Sequence, residues 1–187
     1  MNSNSILKLT VSGLLIAIGI VIPMLSPFKI VLEPASFTLA SHVTIFIAMF
    51  ISPGMAAAVA VGTTIGFFLG GFPIVIVFRA ASHLVFATIG ALWLRKISEE
   101  SRTGVKIRLF SLAIGLIHAF CELLVVTVFY FGGNVSAMYY QKGFVLSVLL
   151  LVGLGTVVHS MIDFEIAKLV MIPLKSGLAS LSSTSKA

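Results

Sequence analysis

Six stretches of this chain are almost wholly apolar, at residues 6–25, 35–51, 55–69, 74–94, 109–131 and 143–161. A chain built this way has few folds open to it. Hydrocarbon offers no water to pair with exposed peptide groups, so an apolar run of about 20 residues that enters a bilayer has to close its backbone hydrogen bonds within itself, as a helix. The alternative, a soluble globule, fails on composition. Hydrophobic residues make up 59% of the 187 and charged residues only 10%, against about 25% charged for an ordinary soluble domain. An interior of that size cannot hide so much apolar surface, so the surrounding medium is itself apolar. The expected architecture is a single all-α domain, polytopic in the membrane, with six transmembrane helices and a flexible tail at 176–187. Segments two and three fall short of a straight span, so four or five spans is the competing count.

The turns between segments carry the breakers. Residues 26–34 contain Pro27 and Pro34 with the charges Lys29 and Glu33, Ser52-Pro53-Gly54 ends segment two, and Gly70-Gly71-Phe72-Pro73 ends segment three. Residues 95–108 are the one strongly hydrophilic linker. The cations orient the whole. With six alternating spans, nine of them (Lys8, Arg95, Lys96, Arg102, Lys106, Arg108, Lys168, Lys175 and Lys186) fall on one side and two (Lys29 and Lys142) on the other. The cation-rich side is the cytoplasmic one, which puts both termini inside a bacterial plasma membrane. The net charge of +6 is therefore a topology signal. Its cations are not interleaved with aromatics on one patch, and no nucleic-acid partner is expected. Ile22-Pro23-Met24-Leu25 is the wrong chemistry for signal-peptidase cleavage, so the first segment reads as a retained helix. Cys121 is the one cysteine, which excludes an internal disulfide.

Two small-residue stripes point to close helix packing. Ala58, Gly62, Gly66 and Gly70 recur every fourth residue on segment three, which reads first as packing within the chain. Gly13 and Ala17 form a second pair on segment one, suited to internal packing or to another membrane subunit.

Ionisable groups inside apolar runs cost roughly 2.5–3.5 kcal/mol each on insertion scales and need a reason. His42 lies in segment two; Arg79 and His83 are spaced i, i+4 on segment four; His118 and Glu122 are spaced i, i+4 on segment five; His159 lies in segment six. Each i, i+4 pair shares one helix face. On the predicted topology Arg79 is about 9 Å and Glu122 about 14 Å from the outer ends of their helices at 1.5 Å per residue. His42, Arg79 and Glu122 thus converge in the outer half of the bilayer, as a pocket open to the outside requires. The residues leave two roles open, a ligand site and an Arg79–Glu122 ion pair that only joins helices. His83 and His118 read as supporting groups. His159 and Asp163 fall toward the inner end of segment six, where capping or interhelical hydrogen bonding is expected rather than metal ligation; no metal site is assigned. No catalytic motif is present: there is no His-Glu-x-x-His, no Gly-x-Ser-x-Gly and no Walker lysine loop. An intramembrane enzyme using His118 and Glu122, or a channel, are the readings from other classes.

Taken together, these residues resemble the substrate-binding S-components of energy-coupling factor (ECF) vitamin transporters, across nearly the whole chain. The most specific stretches are Glu33-Pro-Ala-Ser-Phe-Thr-Leu-Ala-Ser-His42, Phe50-Ile-Ser-Pro-Gly54 and the glycine-rich third segment. They look most like the niacin branch, with the pyridoxine or hydroxymethylpyrimidine branch second. The resemblance implies a non-enzymatic subunit with no cofactor of its own, which captures a B vitamin from outside. It implies association with a membrane coupling protein and two ABC ATPase subunits that use the ATP. It also implies docking through an Ala-x-x-x-Ala motif on helix one, for which this chain has Gly13-x-x-x-Ala17. Independently, a lone arginine in an outer pocket suits a carboxylate such as nicotinate. The expected binding residues are Arg79, Glu122, His42 and His83, with Phe37, Tyr139 (or Tyr140) to cover the aromatic ring and Asn134 from the outer loop.

Overall fold

The computed structural model describes residues 3–32, 35–98 and 102–184. The order of elements is α1 (Ser3–Leu25), β1 (Lys29–Leu32), β2 (Ala35–Thr38), α2 (Val43–Ile51), α3 (Pro53–Leu69), α4 (Ile74–Leu94), α5 (Gly104–Phe131), α6 (Ala137–Phe144), a π-helical stretch (Val145–Leu154) and α7 (Gly155–Thr184). Among the described residues, four helical stretches are long and apolar enough to cross a membrane: Ser5–Leu25, Ile74–Leu94, Gly104–Phe131 and Ala137–Pro173. The chain is a polytopic, predominantly α-helical membrane protein.

Three segment expectations need correction. The loop at 26–34 and the start of segment two fold into an antiparallel hairpin, in which Lys29 pairs with Thr38 and Leu32 with Ala35. The all-α reading therefore omits a small two-stranded sheet. Helix α2 in consequence begins only at Val43, and its nine residues cover about 14 Å, under half of a hydrocarbon core about 30 Å thick. Most of it is wrapped by protein: every residue from Val43 to Met49 is buried, and only its last turn reaches the surface at Ile51. An almost uniformly apolar helix is what such a buried position demands, with Thr44 its one polar residue. Segment six is longer than the 143–161 run at both ends: it starts at Ala137, and its helix continues past residue 161 to Thr184. A kink at Gly143, whose φ is 74°, and the π-helical turns after it re-aim this helix.

Local chemistry explains the boundaries. The Ser52 hydroxyl accepts the Met55 N–H at 3.2 Å, and Pro53 occupies the first turn of α3, where its missing N–H costs nothing. The glycine stripe of α3 packs within the chain, as its first reading has it. The Ile16 side chain of α1 rests against Gly62, and Ile20 rests against Gly66, where any Cβ would overlap it. The core lies around α2, where Phe46 meets Phe86 and Phe164 with ring centroids 5.6 and 5.4 Å apart. By contrast α1 is the least buried of the long helices.

Candidate functional site

Four elements bring ionisable groups to one place between α2, α4, α5 and α7. Glu122 on α5 is the hub. Arg79 Nη2 on α4 donates to its Oε2 at 2.9 Å, and Thr156 Oγ1 on α7 donates to the same oxygen at 2.7 Å. His83 Nε2, one turn after Arg79, lies 3.3 Å from Oε1, and His118 Nε2, one turn before Glu122, lies 3.5 Å from it. The i, i+4 spacing on α4 and α5 aims each pair at the other helix. Burial makes these contacts obligatory, since an unpaired carboxylate in such a place would cost several kcal/mol.

A second carboxylate, Asp163 on α7, organises the turn between the hairpin and α2. Its Oδ1 accepts the Ala40 N–H at 2.8 Å, and its Oδ2 accepts the His42 N–H at 2.8 Å. Ala40 holds a left-handed φ of 67°, a conformation that L-residues adopt only when held there. One acidic side chain thus fixes the strained turn and sits at the positive end of α2. His42 Nδ1 is 3.2 Å from Asp163 Oδ2, and Ser41 Oγ lies 3.0 Å from His159 Nε2. His159 and Asp163 therefore stand beside the site and not near the inner helix ends as expected. The role anticipated for them, capping and interhelical hydrogen bonding, is the one Asp163 fills.

The His42 ring is the junction of the two halves. Its centroid lies 4.8, 4.7 and 5.1 Å from those of His83, His118 and His159. A cavity of about 380 Å3 opens beside this cluster, within the roughly 300–1,000 Å3 usual for small-molecule sites. Its polar wall includes Arg79, His83, Glu122, His42, Thr156 and His159. Its apolar wall includes Phe37 from the hairpin and Phe67 and Phe72 at the α3–α4 turn. The Arg79 guanidinium is not fully used: its buried Nε has no hydrogen-bond partner among the described residues.

Of the residues expected at the site, Arg79, Glu122, His42, His83 and Phe37 line this cavity. Tyr139 and Asn134 do not. Tyr139 packs with Val126, Val148 and Val152 in a separate apolar cluster, because the Gly143 kink folds α6 back over the end of α5. Asn134 is held in its own turn, its amide donating to the Gly132 carbonyl at 2.8 Å. Tyr140 donates to the Tyr130 carbonyl and is partly exposed. Thr156 and Ser41 escaped the sequence reading, since hydroxyl residues are common in membrane helices and loops and carry no signal of their own. Gly13 and Ala17 lie far from the cavity on an exposed face of α1, and a Cβ at Gly13 would meet nothing within 4 Å.

Comparison with known proteins finds a relative in Lactococcus lactis subsp. cremoris, the niacin transporter NiaX. The two are 46% identical over 160 residues, which cover 86% of this chain and 71% of that protein. No protein-family profile matches the chain, and no solved structure matches it.

Proposed function

The chain belongs to the family of the niacin transporter NiaX, and we propose that it is the substrate-capture subunit, the S-component, of an ECF-type importer for niacin. It is a multi-pass protein of the cell membrane, with a small molecule as its substrate. The observation that favours nicotinate over neutral vitamins is Arg79, a guanidinium that lines a cavity with aromatic walls and whose Nε has no hydrogen-bond partner among the described residues. A planar carboxylate can take that donor in a charge-assisted hydrogen bond, while Phe37 and Phe67 bracket the pyridine ring. Glu122 then serves to hold Arg79 in place, so the ion pair and the binding site are one device. The kinship with a transporter argues against an enzyme, and Glu122 already engages Arg79, His83 and Thr156, which leaves it poorly placed to exchange protons with a substrate.

The rest follows from the ECF reading. Six membrane passes, with α2 and the hairpin together making one of them, leave both termini cytoplasmic and the cavity facing outward. Energy comes from a membrane coupling protein and two ABC ATPases, which dock at the Gly13–Ala17 face of α1. Isothermal titration of the detergent-purified chain with nicotinate, nicotinamide, pyridoxine and hydroxymethylpyrimidine tests the substrate. Tight binding of nicotinate and weak binding of the others is expected. Preference for pyridoxine or the pyrimidine would move the assignment to that branch.

A further inference from the structure

We propose that His42, His83, His118 and Glu122 form a binding site for a divalent transition-metal ion of the zinc class, at the edge of the cavity. Each of the four offers one ligating atom, and these atoms lie within 4.8 Å of one another. Three observations point to a cation and not to an ordinary polar core.

The first is His118. It is fully buried, and neither of its ring nitrogens has a hydrogen-bond partner among the described residues. An imidazole whose approach to Glu122 Oε1, at 3.5 Å, falls short of a good hydrogen bond is poorly satisfied in a membrane interior, and ligation of a metal by one nitrogen removes that cost. The second is spacing. His83 Nε2 and His118 Nε2 stand 3.3 and 3.5 Å from the same oxygen, Glu122 Oε1. Charge-assisted hydrogen bonds to a carboxylate settle at about 2.7–2.9 Å. Donor atoms around a tetrahedral ion with bonds of about 2.0–2.1 Å stand roughly 3.4 Å apart. The third is orientation. Asp163 Oδ2, an acceptor only, lies 3.2 Å from His42 Nδ1, as does Ser41 Oγ, which can donate or accept, so the tautomer that carries the proton on Nδ1 is the one that satisfies the carboxylate. The other nitrogen of His42 keeps its lone pair, which is the carboxylate–histidine–metal arrangement seen where a second carboxylate aims a ligand. Three imidazoles and one carboxylate suit zinc, cobalt or nickel better than magnesium or calcium.

Charge gives the site a purpose, in a step that rests on the niacin reading. Arg79 pairs with Glu122, while Asp163 stands beside His42, which leaves one net negative charge among these three groups before the imidazoles are counted. A carboxylate vitamin entering that field adds another. A divalent ion reverses the sign and leaves the cluster neutral once the anion is bound.

The test needs no vitamin, so its result stands apart from the niacin assignment. The full chain, purified in detergent without a polyhistidine tag and stripped with a chelator, is titrated with Co2+. A saturable visible absorption of four-coordinate type at one equivalent, displaced by Zn2+, is expected. His118→Gln, which keeps a polar group in the space, is expected to abolish the band and weaken Zn2+ binding by more than about tenfold. No band in the wild type, or the same band in His118→Gln, would overturn the proposal. If that variant does not fold, X-ray absorption at the zinc edge of the loaded wild-type protein decides. Imidazole scattering supports the site, and its absence sinks it.

Discussion

At the scale of single residues the protein turns on two carboxylates with different tasks. Glu122 balances a guanidinium through Nη2, while Arg79 Nε has no hydrogen-bond partner among the described residues. If that nitrogen meets the carboxylate of nicotinate, Arg79→Met weakens nicotinate binding far more than nicotinamide binding. Loss of a buried charged partner costs on the order of 2–5 kcal/mol, well over tenfold in affinity. Arg79→Lys rescues only part, because an ammonium cannot reproduce the planar fork. Titration calorimetry with both ligands reads the difference, and equal weakening for acid and amide would return Arg79 to a purely structural role. Asp163, in contrast, satisfies two backbone N–H groups at the start of α2. Asp163→Ala leaves both without that acceptor, at about 1–3 kcal/mol each, and the thermal midpoint of the purified chain is expected to fall sharply. Ala40→Gly acts the other way: it relieves the left-handed φ of 67° and is expected to leave the midpoint unchanged or raise it. A clear drop would show that the Ala40 methyl group matters more than its backbone.

At the scale of elements, two stripes of small residues on neighbouring helices have opposite fates. On α3, Gly62 and Gly66 receive Ile16 and Ile20, so Gly66→Leu forces α1 outward. Overpacking of this kind costs roughly 1–3 kcal/mol and is expected to lower thermal stability and vitamin binding together. On α1, Gly13 and Ala17 face outward, beside the exposed Leu14, Ile18 and Val21. Gly13→Leu is therefore expected to leave vitamin binding by the isolated chain intact while it blocks uptake by the assembled importer. Uptake assays in cells, set beside calorimetry on the purified chain, separate the two. Parallel loss of binding and uptake for Gly13→Leu would make the face a part of the chain's own packing.

At the scale of the whole molecule, the topology has its own test. Single cysteines in the 26–34 and 134–142 loops are expected to react with an impermeant thiol reagent in intact cells, and cysteines in the 95–108 linker are not; the native Cys121 is replaced first. Labelling of the linker alone would invert the protein. Much of this architecture was legible in the chain itself. Apolar run length and the hydrogen-bonding needs of a backbone in hydrocarbon dictate helices, and the i, i+4 pairs Arg79–His83 and His118–Glu122 announce which faces point inward. These are local properties, set by neighbours a few residues apart. The hairpin at Lys29–Thr38 and the shortening of α2 were not legible, because Ala35–Thr38 runs straight into the apolar stretch that follows and its pairing depends on a strand across a turn. Nor could periodicity place Asp163 at the N-terminus of α2, or bring four imidazoles from four helices to one point. Those contacts join residues as far as 123 positions apart. They depend on the kink at Gly143 and on how deep the hairpin carries the chain before α2 begins, which only the packing of whole helices against one another decides.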